Sequence, residues 1–227
     1  VKSEQNICQT RGAFMPVIIQ AFFDYTCPFC LLGEVPLRKA AAATGAEIVH
    51  RAWLPGKDGS PKFDPQREFL TAGWRNQIYP LAEKLRITMH QPSYLPRTRL
   101  AHEAAAWARQ QNRFAAFHQK IFHAYFVEDQ DIGDPEVLKS IARKLRLDDD
   151  ALQAVLHEKS MADEVDEDLL IGESYRISSV PAYVIGGEVL LGLQEEEALK
   201  AAIRRTIAGE PPPEKKAIPQ FINISKR

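Results

Sequence analysis

The segment that most constrains this chain is the apolar run MPVIIQAFF, Met15 to Phe23, which breaks at once into DYTCPFC. Its β-branched and aromatic content predicts a buried strand of about five to eight residues. From Cys30 the spacing changes. Leu31, Val35 and Leu37 are the last large apolar anchors, Pro36 among them is expected to kink a helix, and Ala40–Ala43 follow before Gly45 stops it. Arg38 and Lys39 read as solvated, while the small residues let the helix lie close to a sheet. EIVHRAW, Glu47 to Trp53, reads as a second strand. Strand, helix, strand makes a βαβ unit with parallel strands.

The rest of the chain is read from the same signals. Pro55, Gly56, Gly59, Pro61 and Pro65 punctuate a long surface connection, with short helices expected over Arg67 to Trp74 and near Leu81 to Leu85. Residues 97 to 175 read as helical. Leu100, Ala104, Trp107 and Ala108 form one apolar stripe, and Phe114, Phe117, Ile121 and Tyr125 form a second. Asp134 with Pro135 behind it, and Asp148, are expected helix caps. Near the end, Tyr183–Ile185 and Val189–Leu191 are two β-prone stretches around Gly186-Gly187, a pair suited to a type I′ hairpin. Leu199, Ala202, Ile203 and Ile207 then mark the inner face of a last helix, ended by Gly209 and the prolines from Pro211.

The pattern is βαβ, a helical insertion, then ββα. It predicts an α/β chain of thioredoxin-like fold with a large inserted helical subdomain. Residues 15–54 and 178–208 are assigned to the thioredoxin-like domain, 55–177 to the connection and mainly helical insertion, and 1–14 and 209–227 to terminal extensions. Composition agrees. With 45% hydrophobic and 26% charged residues in 227, the chain has the balance of a globular protein. Its net charge of -1 gives no global attraction to nucleic acid. No apolar run of about 18 residues is present, so no integral membrane association is expected.

Three cysteines, Cys8, Cys27 and Cys30, are too few for a disulfide scaffold. Cys8, on an arm read as irregular, is taken as a free thiol without a special role. Cys27-Pro28-Phe29-Cys30 falls where the first strand hands over to the helix. The two-residue spacer lets both sulfurs meet across one turn. At the helix N-terminus, exposed amides and the helix dipole favour a thiolate on Cys27, so Cys27 is read as the attacking sulfur and Cys30 as the resolving one. Pro28 is tolerated in the first turn, and Phe29 supplies an apolar rim. A structural disulfide, an inert pair and a zinc site are the alternatives. Zinc requires about four ligands, and none of His50, His90, His102, His118, His123 or His157 has a metal-like spacing to the CxxC. His118 and His123 read as the side of a helical stripe. Asp163, Glu164, Asp166 and Glu167 read as a solvated face. Val180-Pro181 precedes a short strand. Alone it reads as trans. Combined with CPFC at the sheet junction it reads as cis, with Val180 offering backbone groups and an apolar edge beside the sulfur.

FFDYTCPFCLLG and ISSVPAYVIGG resemble the two signatures of DsbA-like thiol–disulfide oxidoreductases. The FrnE-like branch is the nearer likeness. It has CPWC ahead of a small-residue helix, residues like SGVPTFVI near the end, and an NT-x-x-AH helical segment similar to RTRLAHEAAAWA here. The resemblance spans residues 15 to 208. It implies dithiol–disulfide exchange at Cys27 and Cys30 on protein thiols and disulfides or a glutathione-like small thiol, a cis-proline at Pro181, and peptide contacts around Val180. The chain also resembles 2-hydroxychromene-2-carboxylate isomerase and the kappa-class glutathione transferases, which generally carry serine where Cys27 stands. That likeness keeps glutathione-dependent chemistry on a hydrophobic small molecule as the alternative.

Three departures from the family pattern matter. Ala21 stands six residues before Cys27, where a buried carboxylate is frequent, and Glu34 is read either as its partial substitute or as a solvated residue. Arg97 replaces the branch's frequent asparagine. No cysteine follows Cys30, so a relay through a second pair is excluded. His102 matches the AH position and is read either as a cleft residue or as a structural hydrogen-bonding one. The dithiol carries two electrons itself, so no cofactor or metal is expected. VKSEQNICQTRGAF lacks the apolar core of a signal peptide, which points to the cytoplasm, or to the periplasm if a signal was removed upstream. The sequence leaves oligomeric state open.

Overall fold

Alternation along the first strand, β1 (Ile18–Phe23), sends its side chains to two faces of one sheet. The structure, a computed structural model, describes residues 16–56 and 68–213. Cys8, Met15, Gly59, Pro61, Pro65, Arg67 and the tail beyond Pro213 lie outside the described residues. β1 continues through Tyr25 and Thr26 into α1 (Pro28–Thr44) and returns through β2 (Glu47–Ala52), which pairs with β1 in parallel. β3 (Ala182–Ile185) and β4 (Glu188–Leu191) form a hairpin antiparallel to β1, giving the order β2-β1-β3-β4. All four predicted strands therefore share one sheet. The two-residue loop between β3 and β4 is Gly186-Gly187, with φ of 56° and 85°, where L side chains are disfavoured.

One face is covered by α1 and α9 (Glu196–Ala208), through Ile19, Ala21, Leu37, Ala40, Tyr183, Leu199 and Ile203. Ile207, expected on that face, is instead exposed, because Thr206 is the last-turn residue that meets the hairpin at Gly186. Close approach of α1 to β3 depends on Gly33. A Cβ there would lie 2.5 Å from the Tyr183 hydroxyl and 3.3 Å from Leu193. Gly33→Ala is expected to cost about 1–3 kcal/mol by overpacking, measured by urea denaturation.

Between β2 and β3 lie α2 (Glu68–Gly73), a π-helical turn at Trp74–Ile78, α3 (Tyr79–Leu85), α4 (Arg99–Gln110), α5 (Phe114–Phe126), α6 (Pro135–Lys144), α7 (Asp149–Glu158) and α8 (Ala162–Ser174). The α4–α8 segment is the all-helical insertion. The helix expected from Arg67 to Trp74 thus stops at Gly73. The ladder widens into the π turn just ahead of Pro80, which lacks an N–H. Asp134 and Asp148 cap α6 and α7, accepting from Glu136 N and Ala151 N at 2.9 Å. On α4, burial runs without interruption from Ala101 to Ala108 and not as a stripe, because α5, α7 and α8 all pack on it. α8 also reaches the second face of the sheet, where Gly172 lets it settle on the Phe22 ring beside Ile177, Ala182 and Val184.

Candidate active site

The site begins where β1 ends. Cys27 is the N-cap of α1, extended at φ −85° and ψ 112°, with Pro28 in the first turn. The Cys27 amide donates to Asp24 O at 3.2 Å, and the Cys30 amide donates to Cys27 O at 3.0 Å. Cys27 is half-buried and Cys30 is only 3% exposed, both as free thiols. Cys27 Sγ donates to the Val180 carbonyl at 3.4 Å, across the gap between α1 and the loop entering β3. The Val180–Pro181 peptide bond is cis, Pro181 is buried, and Val180 and Phe29 pack against the core of the insertion. Cys27, Cys30, Pro28, Phe29, Val180 and Pro181 are therefore neighbours at one junction of sheet and insertion.

The two sulfurs differ in burial. Burial, then the hydrogen bond and charge of Cys27, push the Cys30 thiol well above the ordinary range. A raised thiol pKa keeps Cys30 protonated through neutral pH, and only a thiolate alkylates quickly. Iodoacetamide at neutral pH is expected to label Cys27 in the folded chain and to reach Cys30 only after unfolding, as read by peptide mass mapping.

Beneath the cysteines lie two buried polar groups. In the first, Asp24 is 1% exposed and accepts from the Thr26 amide at 2.9 Å, the Thr26 hydroxyl, and the Thr98 hydroxyl at 2.6 Å. His102 Nε2 lies 3.2 Å from the same carboxylate, and the His102 ring is buried. His102 is thus placed in a structural hydrogen-bonding position on Asp24. The sequence reading did not single out Asp24 or Thr98; the only signal was a charge set directly behind an apolar strand.

In the second group, Glu34 is buried and not solvated, because the turn of α1 beyond Cys30 faces the insertion. His50 Nε2 lies 2.9 Å from Glu34 Oε1, and His118 Nε2 lies 3.6 Å from the same oxygen. The Tyr25 hydroxyl meets His118 Nδ1 at 3.1 Å. His118, read from the sequence as the side of a stripe, is fully enclosed, with the Phe114 ring stacked on it at 5.0 Å. Burial alone would raise the Glu34 carboxyl; the close approach of His118, and the hydrogen bond and charge of His50, hold it well below the usual carboxylate range. Burial lowers His118 to about 4, against the pull of Glu34. Among the described residues, Glu34, His50 and His118 form the one group of three such side chains whose ligand atoms lie within 4.8 Å of one another.

On α8, Asp163, Asp166 and Glu167 are exposed, as expected of a solvated face, and two of the four carboxylates pair with arginines. Glu164 pairs with Arg109, and Asp166 pairs with Arg99 at 2.8 Å. Asp168, two residues beyond Asp166, is buried and accepts from Arg51 and from the Ala52 amide, each at 2.8 Å, which ties α8 to β2.

The chain is similar to several known proteins. YwbO, an uncharacterized protein of Bacillus subtilis (strain 168), is 30% identical over 199 residues, covering 83% of this chain and 96% of that protein. A probable DsbA oxidoreductase from Streptomyces coelicolor superposes with a TM-score of 0.76 at 22% identity, covering 88% of this chain and 94% of the other. A 2-hydroxychromene-2-carboxylate isomerase shares the fold with a TM-score of 0.72 at 19% identity, over 85% of this chain and 97% of that one. The sequence profile of the DSBA-like thioredoxin domain matches residues 18–204, from the first residue of β1 into α9. The chain belongs to the DSBA-like thioredoxin domain family.

Proposed function

We propose that this chain is a thiol–disulfide oxidoreductase of the FrnE-like branch, working through Cys27 and Cys30 on protein disulfides or a glutathione-like thiol. The observation that carries the reading is the setting of Cys27: half-buried at the N-cap of α1, its sulfur 3.4 Å from the Val180 carbonyl, with Cys30 buried one turn on. In the reductive direction, the Cys27 thiolate attacks one sulfur of a substrate disulfide. The S–S bond breaks, and the other substrate sulfur leaves and takes a proton. Cys30 then loses its proton and attacks Cys27 Sγ. This frees the second substrate thiol and leaves a Cys27–Cys30 disulfide, for a net transfer of two electrons to the substrate. The oxidative direction is the same sequence reversed. Val180, with its backbone beside Cys27, is the docking edge for an extended substrate.

The branch assignment is supported by His102, which stands at the AH position and is held on Asp24 below the cysteines. The shared fold of the 2-hydroxychromene-2-carboxylate isomerase supports a second reading, glutathione-dependent isomerisation or transfer on a hydrophobic molecule. The presence of Cys27 where those relatives generally carry serine favours exchange. The test is steady-state reduction of a disulfide-bonded reporter peptide with reduced glutathione as electron source. Turnover that vanishes in Cys27→Ser is expected. Turnover of the reporter that survives Cys27→Ser would overturn the reading.

A further inference from the structure

We propose that Glu34, His50 and His118 form a binding site for a divalent transition-metal ion of zinc type, separate from the cysteines. The site would pin the active-site helix to the helical insertion. The three residues come from α1, β2 and α5, so they meet only through the tertiary fold. Their donor set is two imidazole nitrogens and one carboxylate oxygen, which suits zinc with a fourth position open. Ligands held about 2.0–2.1 Å from a tetrahedral ion stand about 3.4 Å apart. The distances of 2.9 Å and 3.6 Å from Glu34 Oε1 to the two Nε2 atoms bracket that spacing. No ligand atom lies more than 4.8 Å from another, so side-chain rotations on the order of 1 Å close the set.

An independent observation points the same way. His118 Nε2 is fully buried and faces Glu34 Oε1 at 3.6 Å, beyond hydrogen-bond distance, with no other polar partner. A buried polar atom left without a partner is costly, and a metal ion would satisfy it. The other ring nitrogen, Nδ1, meets the buried Tyr25 hydroxyl at 3.1 Å. If Nδ1–H donates to that oxygen, the Nε2 lone pair faces Glu34 and His50, the arrangement in which an outer partner orients a metal-bound histidine. The Phe114 ring closes the cluster over His118 and His50. Two cations stand nearby. Arg38 approaches the other carboxylate oxygen, Oε2, at 3.6 Å, and Arg109 donates to the His50 carbonyl at 3.0 Å while pairing with Glu164. Neither occupies Glu34 Oε1 or a ring nitrogen; Glu34 Oε1 and His50 Nε2 meet each other at 2.9 Å, a hydrogen bond that the ion would replace.

Cysteine thiolates also bind zinc, so the test uses the full chain with Cys8→Ser, Cys27→Ser and Cys30→Ser combined. After incubation with zinc and dialysis, one equivalent is expected to remain by elemental analysis. Anomalous scattering at the zinc edge should place it among Glu34 Oε1, His50 Nε2 and His118 Nε2. His118→Gln and Glu34→Gln are each expected to weaken zinc at least tenfold, and Tyr25→Phe by about 10–100-fold. Zinc should also raise the thermal midpoint of the thiol-free chain. Failure of the thiol-free chain to retain zinc, an anomalous peak at another position, or unchanged affinity in both folded variants would each overturn the site. If the variants fail to fold, the anomalous map of the thiol-free parent alone decides.

Discussion

Cys30→Ser is expected to turn a catalyst into a trap. Cys27 in that variant still holds the N-cap of α1 and still attacks a disulfide, but no second thiol stands one turn on to release the product. Exposure to oxidised glutathione should therefore leave a stable adduct on Cys27, visible by intact mass. In Cys27→Ser the only remaining thiol of the pair is the one that burial and its neighbours hold protonated, at 3% exposure. That variant should form no adduct at the pair, and its turnover should fall by about three orders of magnitude or more, as expected when a nucleophile is removed. Equal adduct formation in the two variants would contradict the division of roles.

Asp24→Ala is expected to cost about 2–4 kcal/mol of stability, because it removes one acceptor shared by several buried donors. The Thr26 amide, the Thr26 and Thr98 hydroxyls and His102 Nε2 would all lose their partner, and Thr98 and His102 are too deeply buried to find water. Asp24→Asn keeps the volume and one carbonyl oxygen and should cost less. Urea denaturation of the two variants, at matched slope, measures the difference. Loss in Asp24→Ala no larger than about 0.5 kcal/mol, the usual limit for a surface substitution, would show that the network does not hold the junction.

What the sequence made legible follows from where the physics is local. The Asp134 and Asp148 caps, the Gly45 and Gly209 stops and the Gly186-Gly187 turn are each decided within a few residues, and each appears where the chain chemistry put it. The β-branched and aromatic run from Met15 to Phe23 announced a strand, and CPFC behind it announced a helix start. The buried charges were not legible. Glu34 sits one turn past Cys30 beside Arg38, a spacing that also fits a surface ion pair. Only the return of β2 and the arrival of α5 bring His50 and His118 against it. Asp24 is hidden for the same reason, since Thr98 and His102 lie more than seventy residues away. On α4, small alanines erased the stripe. A helix packed on several sides has no solvent face for periodicity to report.

Two-electron exchange through Cys27 and Cys30 is tested by an equilibrium redox titration of the intact chain in defined mixtures of reduced and oxidised glutathione. Each point is quenched by acid and read by peptide mass mapping. A single two-electron transition is expected, in which Cys27 and Cys30 pass together between two thiols and one disulfide linking them. Glutathione should remain on Cys27 only as a minor species. A chain in which the pair never oxidises, or in which both cysteines instead accumulate separate glutathione adducts, would contradict it.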